Sequence, residues 1–143
     1  MLRFIAVLFL VIAPTAPALA QSADEAAITR AVFDYFHGQG EASAERLNRA
    51  FLPDKAVMIS VLPAEGGGET VTAYTDMTEV LGRWGANANP PGGGRDGEIT
   101  DMHITDGRIA TVHFRYTDRF YDTFILAKIA GEWRIVSKVF VRQ

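Results

Sequence analysis

The chain has 143 residues, 48% of them hydrophobic, and carries 14 lysines and arginines against 17 aspartates and glutamates, a net charge of −3. This length leaves room for one domain. The acidic balance argues against a general nucleic-acid binder, because no excess of positive charge is available to neutralise phosphates. The absence of cysteine excludes a disulfide scaffold, a thiol nucleophile and a cysteine-ligated metal site.

The first twenty residues have the pattern of a secretory signal peptide. Met1 to Arg3 is a short positive start, Phe4 to Ala13 is an uninterrupted apolar run, and Ala18-Leu19-Ala20 is a small-residue cleavage site. A transmembrane anchor is the weaker alternative, because this apolar run reaches only about half of a roughly 30 Å hydrocarbon core. We therefore expect cleavage after Ala20, export to the periplasm or beyond, and a mature domain of residues 21–143 without a membrane segment.

The first half of the mature chain shows mainly helical periodicity. Apolar residues recur at helical spacing from Asp24 to His37, and Gly38 and Gly40 are expected to end this helix. Further along we predict a short helix capped by Ser43 and closed at Pro53-Asp54, strands at 56–62 and 70–74, a third helix opening at Asp76, and a glycine-rich loop at 85–94.

The last fifty residues indicate a four-stranded antiparallel meander. A two-residue turn at Asp106-Gly107 pairs Ile104 with Ile109, a second at Asp118-Arg119 pairs Arg115 with Asp122, and a three-residue loop at 130–132 pairs Ala127 with Ile135. These registers give a core face and a mixed face. The predicted core face contains Ile99, Asp101, His103, Ala110, Val112, Phe114, Tyr116, Tyr121, Thr123, Ile125, Ala127, Ile129, Trp133, Ile135, Ser137, Val139 and Val141. The predicted mixed face contains Glu98, Thr100, Met102, His113, Arg115, Phe120, Asp122, Phe124, Leu126, Lys128, Arg134, Val136, Lys138 and Phe140.

The order of helices and strands, together with two segments, resembles the nuclear transport factor 2-like superfamily. The segments are Phe51-Leu52-Pro53-Asp54-Lys55-Ala56 after the second helix and residues 126–136, LAKIAGEWRIV, near the end. Within the superfamily the chain is most similar to the putative lumazine-binding family, over roughly residues 23–141. The resemblance implies an α+β, cone-shaped fold, in which three N-terminal helices pack on a curved antiparallel sheet around a pocket, and which is often dimeric.

Relatives in this superfamily include ketosteroid isomerase, polyketide cyclases and dehydratases, and members without chemistry. The isomerase carries its base carboxylate on the strand after the second helix, which here reads Ala56-Val57-Met58-Ile59-Ser60 and has no acid. It keeps a protonated acid on the third strand of the meander, where residues 123–126 also have none. Asp122 is nearby, but the predicted register turns it to the mixed face beside Arg115 as an ordinary cross-strand ion pair.

The candidates for catalysis are Asp101 and His103, which lie two residues apart and therefore on one side of their strand. A carboxylate that orients an imidazole toward a pocket is a usable general base, whereas two solvated residues at a sheet rim are the simpler alternative. A pocket beneath the first helix is predicted to be lined by Tyr35, Trp84, Tyr116, Tyr121, Trp133 and Ser137. The register sends His103 and His113 to opposite faces, so we expect no metal site, and we expect no cofactor.

Two functions remain open. The favoured one is a periplasmic or secreted protein that binds an apolar or aromatic small molecule in the cone without changing it. The alternative is an enzyme of the cyclase, dehydratase or isomerase kind, with Asp101 and His103 in proton transfer. We also expect a homodimer that buries an apolar patch of the mixed face, formed by Met102, Phe124, Leu126, Val136 and Phe140.

Overall fold

A computed structural model describes residues 16–143 except residue 93, so most of the predicted signal sequence lies outside the described residues. The elements are α1 (Ala16–Glu41), α2 (Ala44–Ala50), β1 (Val57–Pro63), β2 (Glu69–Tyr74), α3 (Met77–Gly85), β3 (Gly97–Thr105), β4 (Ile109–Tyr116), β5 (Phe120–Ile129) and β6 (Glu132–Arg142). The strands form one sheet in the order β2-β1-β6-β5-β4-β3. This is an α+β fold, as predicted.

The sheet is mixed, because β1 and β6 run parallel while the other neighbouring pairs are antiparallel. The predicted meander of the last four strands is confirmed. The parallel pair places β1 beside the last strand of the chain, with Val57 opposite Ser137 and Ile59 opposite Val139. None of the helices in the described part of the chain combines the length and the apolar content needed to span a membrane.

Helix α1 is longer than the sequence predicts, since it continues through Gly38 and Gly40 to Glu41. The two glycines allow close approach and do not end the helix. A Cβ on Gly38 would lie 3.0 Å from side-chain atoms of Arg46 and Leu47. The helix ends instead where Ala42 adopts the left-handed conformation, with φ of 53°.

The two short helices begin where the sequence indicates. Ser43 caps α2 by accepting a hydrogen bond from the Arg46 amide, and Asp76 caps α3 by accepting one from the Glu79 amide at 3.0 Å. The α2 segment turns Leu47 and Ala50 inward, and α3 turns Met77, Val80 and Leu81 inward. Both helices therefore contribute apolar side chains to the core above the sheet.

The predicted register of the meander is wrong in several segments. The loop after β3 has three residues, so Ile104 pairs with Ala110 and not with Ile109; the loop after β4 also has three, so Phe114 pairs with Asp122. The loop after β5 has only two, Ala130 and Gly131. Register shifts at Thr100 in β3 and near Val136 in β6 then change the inward-facing row within each strand.

The face assignment consequently inverts for β5 and for parts of β3 and β6. Asp122, Phe124 and Leu126 are buried inside, whereas Tyr121, Thr123 and Ile125 are exposed outside. The predictions for β4, Trp133 and Ile135 are confirmed. The core between helices and sheet contains Ile28, Val32, Tyr35, Phe36, Leu47, Phe51, Met58, Met77, Val80, Leu81, Val112, Phe114, Phe124, Leu126, Trp133 and Ile135.

Candidate functional site

A cavity of about 190 Å³ lies where the end of α1, the end of α3 and the β4–β5 turn meet. We call it the mouth cavity. Trp84, Tyr116 and Phe120 provide aromatic surface, and Arg95 and Arg119 provide positive charge. Its remaining lining residues are Gln39, Asn87 and Pro91. The site therefore combines flat apolar surfaces with two guanidinium groups and two side-chain amides.

Arg95 is held in place by neutral partners. Its Nε donates to the Tyr116 hydroxyl at 3.1 Å, its Nη1 to the Phe36 carbonyl at 2.7 Å, and its Nη2 to Gln39 Oε1 at 3.1 Å. The guanidinium carbon also lies 4.2 Å from the ring centre of Phe36 and 4.7 Å from that of Tyr116. These contacts fix the position of the charge without neutralising it.

Three polar side chains, Tyr35, Asp122 and Lys138, meet inside the core; we call them the buried trio. Lys138 Nζ donates to the Tyr35 hydroxyl at 2.8 Å and lies 3.3 Å from Asp122 Oδ2. The Lys138 and Asp122 side chains are only 4% and 2% exposed. The second carboxylate oxygen, Asp122 Oδ1, is buried and has no hydrogen-bond partner among the described residues.

Burial disfavours the charged form of each side chain of the buried trio. It raises the pKa of Asp122 and lowers the pKa of Lys138, and in each case the opposite charge of the partner acts against the shift. Burial also raises the pKa of the Tyr35 hydroxyl well above its usual value. The Arg95 charge acts on all three groups and favours their deprotonated forms.

Aromatic side chains separate the buried trio from the mouth cavity. The Tyr35 ring lies 6.0 Å from Trp84, and Lys138 Nζ lies 4.1 Å from the ring of Phe140, which in turn contacts Phe120 at 5.3 Å. Trp84 and Phe120 line the cavity. The trio thus lies directly behind the aromatic wall of the cavity.

A second polar network ties the first helix to the β5–β6 hairpin. Asp24 Oδ1 accepts hydrogen bonds from Lys128 Nζ at 2.7 Å and from Trp133 Nε1 at 2.9 Å. The hydrogen bond from Lys128, followed by that from Trp133, lowers the pKa of Asp24. This network satisfies the buried indole N–H and is structural.

A larger groove of about 270 Å³ borders α1, α2 and the β5–β6 turn. Two of its charged residues pair with each other, since Arg49 donates to both oxygens of the buried Asp34 at 3.0 and 3.1 Å. Arg134, at the same groove, donates to the carbonyl oxygens of Asn48 and Arg49. With these groups satisfied, the groove offers less to a ligand than the mouth cavity.

The predicted pocket residues divide into two groups. Tyr35, Trp84 and Tyr116 come together at or behind the mouth cavity. Trp133 is buried beside Asp24, away from them in the fold. Tyr121 is 51% exposed on the outer face of the sheet, and Ser137 pairs there with Ile125, which is 41% exposed.

Asp101 and His103 do not reach the core face on which they were predicted. The irregularity at Thr100 and the three-residue loop after β3 turn Met102 and Ile104 inward, so Asp101 and His103 are exposed on the outer face. His113 lies opposite Asp101 and is also exposed. No group of three or more acidic or histidine side chains suited to a metal ion occurs among the described residues.

Sequence reasoning missed Arg95, Phe120, Asp122 and Lys138. The predicted register puts Asp122 and Lys138 on one face together with Phe124 and Phe140, as the structure does, but it predicts a dimer surface there, and the structure buries this face under the helices. Two opposite charges within apolar runs of neighbouring strands are the signal that could have identified a buried pair. Arg95 follows a run of glycines, and no local pattern marks it.

The strongest comparison is with a protein family. The family described as putative lumazine-binding matches residues 23–141 of the 143. The chain belongs to the putative lumazine-binding family. No functionally curated protein matches this family member.

Solved structures show the same fold. A nuclear transport factor 2-like protein of unknown function from Shewanella baltica matches with a TM-score of 0.68 and 21% identity, over 85% of this putative lumazine-binding chain and 95% of its own. One from Methylobacillus flagellatus matches at 0.65 and 26%, over 85% and 93%. A structure named as a putative scytalone dehydratase, from Novosphingobium aromaticivorans, matches at 0.59 and 16%, over 88% of each chain.

Proposed function

We propose that the chain binds a small flat apolar or aromatic molecule in the mouth cavity. This proposal rests on the cavity itself, in which Trp84, Tyr116 and Phe120 offer ring surfaces beside the fixed guanidinium of Arg95. Ligand sites are commonly built this way, from apolar walls and a few placed polar groups. The volume of about 190 Å³ suits a ligand of one or two rings. The family description, putative lumazine-binding, agrees with such a ligand.

Tryptophan fluorescence tests this function. Trp84 lines the mouth cavity and Trp133 is buried beside Asp24, so a Trp133→Phe variant reports on the site and a Trp84→Phe variant is the matched control. We expect at least one class among lumazines, flavins, steroids and polyketide-like aromatics to quench Trp84. Asn87→Trp should fill the cavity and abolish the response, whereas His103→Ala on the outer face should not. Failure of every class to bind below about millimolar, only about −4 kcal/mol, would refute the proposal.

We also propose that the protein is exported and that cleavage follows Ala20. The charged start, apolar run and Ala18-Leu19-Ala20 site support this. Cleavage would remove the first five residues of α1, while the first fully buried side chain, Ile28, lies eight positions further on. Intact mass and N-terminal sequencing of protein from an exported fraction should give Gln21 as the first residue. A product that still starts at Met1 would refute the proposal.

A homodimer remains our proposal, but with a different surface. Phe124 and Leu126, the centre of the patch predicted from the sequence, are fully buried in the core and cannot contact a partner. The outer face of the sheet instead exposes Tyr121, Val139 and Val141 together with Ile125 and Val57. Cross-strand pairing places these side chains on one face, because Tyr121 lies opposite Val141 and Ser137 lies between Ile125 and Val57. A second copy could cover this uncharged band.

Proton-transfer catalysis is the second candidate function, now carried by the buried trio and not by Asp101 and His103. Asp122 Oδ1 is buried without a hydrogen-bond partner, and burial raises the pKa of this carboxyl group. The unpartnered carboxylate oxygen of Asp122 can accept a proton, and the Tyr35 hydroxyl can donate a hydrogen bond to a developing oxyanion. The chain also shares its fold with the structure named as a putative scytalone dehydratase.

A β,γ-unsaturated ketone is a direct probe, because its conversion to the conjugated enone moves one proton between carbons and raises the ultraviolet absorbance. If the trio is catalytic, Tyr35→Phe, which leaves the Asp122–Lys138 pair in place, and Asp122→Asn, assayed where circular dichroism shows it folded, should both abolish turnover, while His103→Ala should leave it unchanged. Ligand binding without turnover of enones or dehydratable alcohols would leave binding as the only function.

A further inference from the structure

We infer that the ligand of the mouth cavity is a small aromatic acid, a flat ring system that carries one carboxylate. This inference rests on the binding function proposed above and specifies the charge of the ligand. Three observations support it: two arginines line the cavity, its lining contains no acidic residue, and Arg95 is held by neutral hydrogen-bond acceptors.

The charge of the cavity is opposite to that of the chain. The whole chain has a net charge of −3, yet the residues that line the mouth cavity include Arg95 and Arg119 and no aspartate or glutamate. Within the described residues, neither guanidinium forms an ion pair with a carboxylate. The cavity therefore has an excess of positive charge that an anionic ligand would compensate.

The buried carboxylate of Asp122 already has a cationic partner. Asp122 pairs directly with Lys138 behind the aromatic wall, at 3.3 Å, so the ammonium balances its charge first and Arg95 acts on it only at longer range. The three hydrogen-bond acceptors that hold Arg95 are a backbone carbonyl, an amide oxygen and a tyrosine hydroxyl, all neutral. A guanidinium has five N–H donors, so these contacts leave two for a ligand.

The surrounding backbone makes room for Arg95 in this position. A Cβ on Gly40 would lie 2.5 Å from Arg95 Nη1, which means that only glycine leaves space for the guanidinium against the last turn of α1. The amide of Gly92 donates to the Gly40 carbonyl at 3.0 Å and ties the glycine-rich loop to the same turn. Arg95 is thus a preorganised donor, and preorganisation reduces the entropy lost on binding.

Arg119 complements this fixed charge with an adjustable one. It is exposed on the β4–β5 turn, and its guanidinium carbon lies 5.5 Å from the Tyr116 ring and 5.7 Å from the Phe120 ring. An arginine fork matches the geometry of a carboxylate, whereas Trp84 and Phe120 offer flat surfaces to a ring. One anionic group on a ring system therefore fits the chemistry of both halves of the cavity.

A matched pair of ligands, 2-naphthoate and its neutral amide 2-naphthamide, tests the charge of the ligand. Both are titrated against the Trp133→Phe variant at low ionic strength, with Trp84 fluorescence as the signal. We expect naphthoate to bind at least about tenfold more tightly, as a charge-assisted hydrogen bond implies. Added salt should weaken naphthoate binding and leave naphthamide binding unchanged.

Three variants locate the effect. Arg119→Gln should reduce the preference for naphthoate, and Gly40→Ala should reduce it by displacing the Arg95 guanidinium. Arg83→Gln, an exposed arginine on α3 that pairs with Glu79, is the control and should leave the preference unchanged. Circular dichroism verifies that each variant is folded.

The possible results separate this inference from the proposed function. Equal affinity for the two ligands, or an unchanged preference in both Arg119→Gln and Gly40→Ala, would overturn the inference and leave small-molecule binding intact. No binding of either ligand, combined with failure of the broader ligand panel, would overturn both.

Discussion

At the scale of single residues, the buried trio is the most unusual feature of the core. Lys138 and Asp122 are almost completely excluded from solvent, and the desolvation of two such charges costs about as much free energy as their attraction returns. The hydrogen bond to Tyr35 satisfies one further polar group. The trio is therefore better explained by what it can bind or position than by stability.

Removing one partner of the buried pair should destabilise the protein more than removing both. Asp122→Asn leaves the Lys138 ammonium buried without a countercharge, which we expect to cost about 3–5 kcal/mol in the free energy of unfolding. The double variant Asp122→Leu/Lys138→Met should be more stable than Asp122→Asn. Urea denaturation measures both. Arg115→Met, which breaks an exposed pair with Glu98, is the control and should cost at most about 1 kcal/mol.

The raised pKa of Asp122 predicts a pH dependence of stability. Because the folded protein holds this proton more tightly than the unfolded chain, whose aspartate has a pKa near 3.8, the contribution of Asp122 is fully present below 3.8. It is lost as the pH rises through the raised folded value. The free energy of unfolding of the wild type, minus that of Asp122→Asn, should therefore decrease across this interval. A difference that stays constant or increases would show that the carboxyl pKa is not raised.

At the scale of elements, the hairpin turns decided how much of the fold could be predicted. Helix caps depend on local residues such as Ser43 and Asp76, so the sequence indicated them. The strands of the meander also follow from local patterns of apolar residues and turns. The length of each turn was harder to predict, because Asp106-Gly107 can belong to a loop of two residues or of three. Trp84 and Tyr116 were predicted to line the pocket, as they line the mouth cavity. Phe120 and Asp122 were predicted on the mixed face, away from the pocket, because the predicted β4–β5 turn was one residue too short.

Ala130 offers a direct test of turn conformation. It occupies the first position of the two-residue β5–β6 turn with a φ of 51°, in the left-handed region that disfavours a side chain. Ala130→Gly should relieve this strain and raise the free energy of unfolding by up to about 1 kcal/mol, partly offset by the greater entropy of the unfolded chain. Thermal denaturation measures the change. Ala88→Gly in an exposed loop is the control, and an equal effect there would contradict the strain explanation.

At the scale of the whole molecule, the outer face of the sheet carries the expected contact between two copies. Val139→Glu introduces a charge into the uncharged band without touching the core, since Val139 is 37% exposed. We expect a folded monomer by light scattering and circular dichroism, where the wild type is a dimer at tens of micromolar. Glu79→Lys, exposed on α3 on the helix side of the sheet, is the control. A monomeric wild type at this concentration would contradict the proposal.

The shift in register at Thr100 has a consequence for how this sheet can change its chemistry. Thr100 is an extra residue between the paired residues Ile99 and Asp101. Beyond it, each side chain of β3 faces the side opposite to the one that regular alternation would give. Deleting Thr100 would remove the irregularity and leave the faces unchanged, because Asp101 would then follow Ile99 directly and stay opposite His113 on the outer face. If Thr100 instead kept regular alternation, with every later pairing of β3 moved by one residue, the same sequence would turn the ionisable Asp101 and His103 toward the helices in place of the apolar Met102 and Ile104.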